Sequence, residues 1–156
     1  MLERLGVAGD VARHAREIHR RWFDSLTFHL YDDAMPALRA LRGAGLALAV
    51  VSNGSERELA HVMGRCGLDW DLFDAVVGAD TFSSDKPDRR IFEGALERLG
   101  VSAAEAVFVG DKPETDGGAA NVGMRFIWLD RRNAGGPRER ITTLAELPGL
   151  LGMGLP

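Results

Sequence analysis

The chain has 156 residues, the length of one domain, with 46% hydrophobic and 27% charged side chains and a net charge of −4. That composition excludes a disordered chain, offers no basic footprint for nucleic acid, and contains no apolar run near the roughly 18–20 residues needed to span a bilayer. The lone Cys66 excludes an internal disulfide and a cysteine-based zinc cage, and residues 1–6 lack the apolar segment of a signal peptide, so the expected compartment is the cytoplasm. Among the 19 basic side chains, Lys86 and Lys112 alone are lysine. A site that keeps lysine in so arginine-rich a chain calls for a compact ammonium instead of a planar fork.

Val11, Ala15, Ile18, Trp22 and Leu26 share one face of a helix over 9–26, with Arg13, Arg16, Arg20 and Arg21 on much of the rest. Trp22, Phe23 and Phe28 read as packing residues rather than a substrate pocket, while His14 and His19 face solvent. A second helix is expected over 33–42, with Pro36 in its first turn and Gly43 and Gly45 at its end. The run 46–51 is continuously apolar, as in a parallel strand covered on both faces, and stops at Ser52-Asn53-Gly54. Ser55 and Glu58 form a capping box that starts a helix ending near Gly67. A short strand over 73–78 follows, with Asp69-Trp70-Asp71 as the loop before it. Pro87 and Asp88 open a helix carrying Ile91, Phe92, Ala95, Leu96 and Leu99. Ser102 and Glu105 pattern another capping box. The apolar run 106–109 reads as a second buried strand, a helix is expected over 114–122, and Arg125 to Leu129 gives a further strand. Residues 131–140, including Pro137, read as a polar, unpacked loop whose basic charge is solvated. A short helix capped by Thr142 or Thr143 runs to Leu151, before a frayed glycine-rich end.

Alternating strands and helices predict an α/β fold with a mainly parallel sheet, in which ligands bind beyond the carboxyl ends of the strands. Three loops should share that rim. In the first, Ser52, Asn53 and Gly54 offer a hydroxyl, an amide and an unobstructed N–H to an anion, although ordinary turns use the same residue types. In the second, Lys86 precedes Pro87 and is suited to neutralise a carboxylate and a phosphoryl oxygen, or is simply a solvated residue before a helix. The third, Gly110-Asp111-Lys112-Pro113-Glu114-Thr115-Asp116, places the Asp111 and Asp116 carboxylates at a strand end, the hard oxygen donors that Mg²⁺ takes in phosphoryl-transfer sites.

In this order the three elements resemble the haloacid dehalogenase-like (HAD) hydrolase superfamily. Val50-Val51-Ser52-Asn53 is similar to its second motif, Lys86-Pro87 to its third, and Val107-Phe108-Val109-Gly110-Asp111 with Asp116 to its fourth. The segment 118–124 is similar to the family's Gly-Ala-x-x-Ala-Gly-Met helix end. The resemblance implies a HAD-like Rossmannoid three-layer core over 33–156, and a partial helical cap over 1–32. It also implies that Ser52, Asn53 and Gly54 hold a phosphoryl group. Lys86 would stabilise the nucleophile and the phosphate charge, and Asp111, supported by Asp116, would bind Mg²⁺. A Gly-Asp fourth motif resembles the phosphatase members more than the dehalogenases, which implies a small phosphorylated metabolite as substrate.

The family's first motif, an apolar strand ending in Asp-x-Asp, has no match. Asp69-Trp70-Asp71 has the spacing but no strand before it, and Asp32-Asp33 sits at a helix start. In the family that strand lies centrally, between the segments here at 46–51 and 106–110. Two unpaired inner edges would cost several kcal/mol, at about 1–3 kcal/mol for each buried orphan group. The expectation is that the two strands close against each other or that a segment of another chain fills the gap, with a homo-oligomer or a strand-donating partner as the assembly. Weak metal binding and little phosphatase turnover are expected of this chain. The competing readings are a non-catalytic phosphate-binding or regulatory module and one piece of a split or truncated enzyme.

Overall fold

The computed structural model describes residues 10–136 and 138–153. The readings placed on residues 1–9, on Pro137, on 154–156 and on the His19 and Trp22 side chains lie outside it. The described elements are α1 (Val11–Ser25), α2 (Ala34–Gly43), β1 (Ala49–Val51), α3 (Glu56–Cys66), β2 (Ala75–Val77), α4 (Arg89–Leu99), β3 (Val107–Gly110), α5 (Pro113–Asp116), β4 (Arg125–Leu129), β5 (Arg140–Ile141) and α6 (Leu147–Leu150). The chain is therefore α/β, and each ladder is parallel, but the expected single sheet is two: β1 with β2, and β3-β4-β5.

Local signals explain the helices. Asp10 caps α1 through the Arg13 N–H, Asp88 caps α4 through the Arg90 N–H, and Ser55 and Glu58 complete their capping box on α3. Gly67 and Gly100 end α3 and α4 in the left-handed conformation. The helix expected over 114–122 divides into one α-turn, Pro113–Asp116, and a 3-10 segment, Gly117–Val122, because Gly117 and Gly118 interrupt its propensity. On α1, Phe23 stacks at 5.5 Å against both Phe28 and His61, and Arg65 donates to the Asp24 carbonyl at 3.3 Å, which seats α1 on α3.

Alternation along β3 sorts the core into two faces. Phe108 packs with Val77, Ile91, Phe92, Ala95 and Ala119, the α4 side. Val107 and Val109 pack with Leu41, Leu48, Ile127, Ile141 and Leu147, the side of α2 and α6. The three layers are thus helix, strands, helix. Asp74 ties α2 to the strands: its carboxylate accepts from the Leu48 N–H at 2.8 Å and from Arg42.

Closure of the two inner strands onto each other does not occur. Between β1 and β3 lies a slot of about 840 Å³, lined by residues of both strands, by Leu38 and Leu41 of α2, and by Ala95, Leu96 and Leu99 of α4. The two halves meet through these helices, not through a ladder.

The segment after β4 also differs from its reading as an unpacked loop. Arg140 and Ile141 pair with Trp128 and Leu129. The buried Asp130 accepts from the Ala134 and Gly135 N–H groups at 3.1 and 3.0 Å. Arg131 is not solvated charge: it grips Asp33 with two bonds of 2.9 Å and lies 3.8 Å over the Tyr31 ring. Asp33 also accepts from the Thr143 hydroxyl at 2.6 Å and the Leu144 N–H at 2.8 Å. A stretch rich in arginine and glycine conceals in the sequence that these partners lie about a hundred positions away.

The Arg131 guanidinium, with the Thr143 and Leu144 donors, holds the Asp33 carboxyl well below the usual aspartate range against its own desolvation. A depressed carboxyl stabilises the fold fully above its unfolded pKa of about 3.9 and progressively less as the pH falls below it. Asp33→Asn should therefore lower stability by about 1–3 kcal/mol near neutral pH, and the gap to the parent should narrow towards about pH 2; urea midpoints at the two pH values measure both.

Candidate active site at the strand ends

The carboxyl ends of β1, β2 and β3 converge on one rim, and side-chain geometry shows how. Asn53, just past β1, accepts from the Lys86 N–H at 2.7 Å and donates to the Lys86 carbonyl at 3.1 Å. This two-point clamp fixes the loop that follows β2 and carries the cis Lys86–Pro87 peptide. The Lys86 ammonium then reaches the loop after β3, donating to Asp116 at 2.7 Å, and sits 5.5 Å from the Phe108 ring centroid. The pair is 13% and 4% exposed on its lysine and aspartate sides. An ion pair so removed from water is short and directional, and it costs strongly to break from one side.

Two glycines make that approach possible. A Cβ on Gly110 would overlap the Asp116 carboxylate, and one on Gly118 would meet the Pro87 carbonyl at 2.6 Å. The Gly-Asp of the β3 loop thus has a steric reason that its spacing did not reveal.

The residues singled out in the sequence come together with altered duties. The Ser52 hydroxyl oxygen accepts from the Gly54 N–H at 3.1 Å, so that N–H is not the unobstructed donor expected, while the Ser52 O–H is left to donate. The side-chain amide of Asn53 grips the Lys86 backbone instead of pointing to an anion. Asp116 has both oxygens engaged, one by Lys86 and the other by the Lys112 N–H at 2.9 Å. Lys112, without a role in the sequence, is thereby an anchor through its backbone. Asp111 is exposed, and its carbonyl accepts from the Trp128 indole N–H at 3.3 Å, which fixes the backbone that carries its carboxylate. Sequence reasoning missed Trp128; its indole N–H signals nothing without the β3–β4 register.

Among the described residues no group of three or more His, Cys, Asp or Glu side chains gathers as a metal cage. The donor set fits a hydrated hard cation only through Asp111, with Asp116 shaping its loop; Mg²⁺ sites commonly use one or two carboxylates and complete the shell with water and phosphate.

Comparison with known proteins agrees with this architecture. The family described as haloacid dehalogenase-like hydrolase matches residues 1–129. A (S)-2-haloacid dehalogenase of Pseudomonas putida is 30% identical over 143 residues, covering 86% of this chain and 62% of its own length. A phosphoserine phosphatase of Thermus thermophilus is 36% identical over 131 residues, 83% of this chain and 52% of its own. The crystal structure of a HAD phosphatase from Thermococcus onnurineus superposes with a TM-score of 0.74 at 38% identity, over 79% of this chain and 58% of that one. The chain belongs to the haloacid dehalogenase-like hydrolase family. It spans roughly half to two thirds of the length of these relatives, which include both dehalogenases and phosphatases.

The ion pair predicts an asymmetry. Asp116→Asn keeps the acceptor for the Lys112 N–H but leaves the Lys86 ammonium uncompensated, and should cost about 3 kcal/mol in urea unfolding. Combining it with Lys86→Met should cost less than the sum of the two single changes.

Proposed function

We propose that this rim is the phosphate seat of a phosphatase-type HAD hydrolase, acting on small phosphorylated metabolites, and that this chain by itself turns over little substrate. The observation that carries the reading is the Lys86 ammonium, held at the meeting point of the three strand ends by the Asn53 clamp and Asp116. An ammonium has three donors, and Asp116 takes one, so two remain for phosphoryl oxygens. The Ser52 O–H, the Asn53 backbone N–H and the Lys86 ammonium are the donors suited to a phosphoryl group. The Gly110-Asp111 sequence favours the phosphatase branch over the dehalogenases, and the family includes both.

Magnesium, if bound, would be held by Asp111 and would offset the negative charge of the phosphate. Lys86 would bind and orient the phosphoryl group, and the apolar wall of Phe108 and Val51 would exclude water on one side. Catalysis of aspartyl-phosphate type also needs a free carboxylate as nucleophile. Of the carboxylates in the rim loops, Asp111 and Asp116 are the two that match the family's fourth motif. Asp116 is committed to Lys86, and Asp111 is the candidate metal ligand, which supports low turnover. The same facts favour, as a second reading, a phosphate-binding module or one piece of a split enzyme.

A titration with inorganic phosphate in the absence of Mg²⁺ should show binding that Lys86→Met weakens about tenfold or more. With Mg²⁺ and p-nitrophenyl phosphate the purified chain should stay at background. Failure to bind phosphate would remove the phosphate seat; magnesium-dependent turnover abolished by Asp111→Asn would show the chain to be a complete catalyst.

A further inference from the structure

Just past β2 the chain turns at 78–81, where the Thr81 N–H donates to the Gly78 carbonyl at 3.1 Å and the Gly78 N–H donates to the Thr81 hydroxyl oxygen at 2.9 Å. The turn is closed on itself and lies against the backbone that follows β1. The Ala79 N–H donates to the Gly54 carbonyl at 3.0 Å, and Oδ1 of the exposed Asp80 accepts from the N–H of Glu56, the first residue of α3, at 2.8 Å. The approach leaves no room for a side chain on Gly78, whose Cβ would meet the Glu56 nitrogen at 2.5 Å and the Gly54 carbonyl oxygen at 2.8 Å. The Glu56 carboxylate adds a second tie. It accepts from the Thr81 hydroxyl at 2.5 Å and from Arg98 at 3.4 Å, while Arg98 also donates to the Val76 carbonyl of β2 at 2.8 Å.

We propose that Asp80 is a positioning residue for the phosphate seat: through the Glu56 N–H it holds the loop 52–54 in the shape that presents the Ser52 O–H and the Asn53 N–H to a phosphoryl group. The role rests on the phosphate reading of the rim. Gly54 is the freest point of that loop, since glycine carries no Cβ to restrict its backbone. Its N–H donates to the Ser52 oxygen at 3.1 Å, so the placement of Gly54 decides which lone pair of that oxygen is occupied and hence where the Ser52 proton points. The Ala79 bond alone would leave the Gly54 carbonyl a pivot. The Asp80 bond, two residues further on, turns that pivot into a two-point attachment and fixes the orientation of the backbone between. Charge acts in the opposite sense to geometry. A carboxylate at the amino end of α3 suits the helix dipole but repels a phosphate bound nearby. Asp80→Asn keeps the acceptor oxygen and drops the charge, whereas Asp80→Ala drops both, so the pair of substitutions separates positioning from electrostatics.

The test uses the full chain and both variants, titrated with inorganic phosphate in the absence of Mg²⁺ at one pH and ionic strength. Hydrogen exchange at the Gly54 and Glu56 amides and urea midpoints are measured alongside. Asp80→Ala should bind phosphate about fivefold or more weakly, and Asp80→Asn at least as tightly as the parent. The two amides should exchange faster in Asp80→Ala and return to the parental rate in Asp80→Asn. A lowered urea midpoint with unchanged phosphate binding in Asp80→Ala overturns the proposal, because the carboxylate is then a helix cap and nothing more. Equal weakening in both variants overturns it as well, since the charge and not the bond would be what matters. Should the parent itself bind no phosphate, the phosphate reading falls on its own, and exchange decides whether Asp80 braces the loop: unchanged rates in Asp80→Ala overturn the brace, and faster rates restored by Asp80→Asn sustain it.

Discussion

The two sheets share no ladder, so their relative placement rests on what bridges them from outside the strands. Chief among these bridges is α4, whose Ile91 and Phe92 are fully buried and whose Phe92 meets Phe108 edge-on at 5.2 Å. One helix thereby packs on Val77 of the first sheet and Phe108 of the second. Its amino-terminal approach is the Lys86–Pro87 loop, so the helix that aligns the sheets also delivers the ammonium to the rim. The buried Lys86–Asp116 pair then sets the distance between the β2 and β3 loops, and the Asn53 clamp adds β1. Packing gives the coarse alignment, and charge with hydrogen bonds gives the register of the strand ends.

Much of this was legible in the sequence where the signal is local. Ser55 with Glu58, Asp88 before Arg89, and glycines at 67 and 100 announce helix ends because caps act within four residues. The apolar runs at 46–51 and 106–109 announced strands, but the ladder of the first begins only at Ala49, Leu46 remains exposed, and both strands are half-buried except at Phe108. The rim itself was legible as an order of loops: Ser52 and Asp111 directly follow β1 and β3, and Lys86 lies in the loop between β2 and α4.

What was not legible depends on partners far away in the chain. The pairing of Asp116 with Lys86, the grip of Asn53 on a backbone and the Trp128 bond to the Asp111 carbonyl require distances that a one-dimensional pattern does not contain. The same holds for Arg140 and Ile141. Two residues are too short for a periodic signal, and they become a strand only because β4 offers them an edge. The split of the sheet was foreseen as a gap to be closed, yet α2 and α4 hold the walls apart, since the apolar side chains of both helices pack on strands on each side of it.

The Asp33 clasp has a kinetic meaning. Its partners Arg131, Thr143 and Leu144 are 98, 110 and 111 positions away, so the contact closes a loop that takes in nearly every strand. Loop-closure entropy makes such a contact unrewarding until the intervening elements are in place. By that argument the clasp is expected to form late in folding, as α2 and the carboxy-terminal turn meet across the assembled strands.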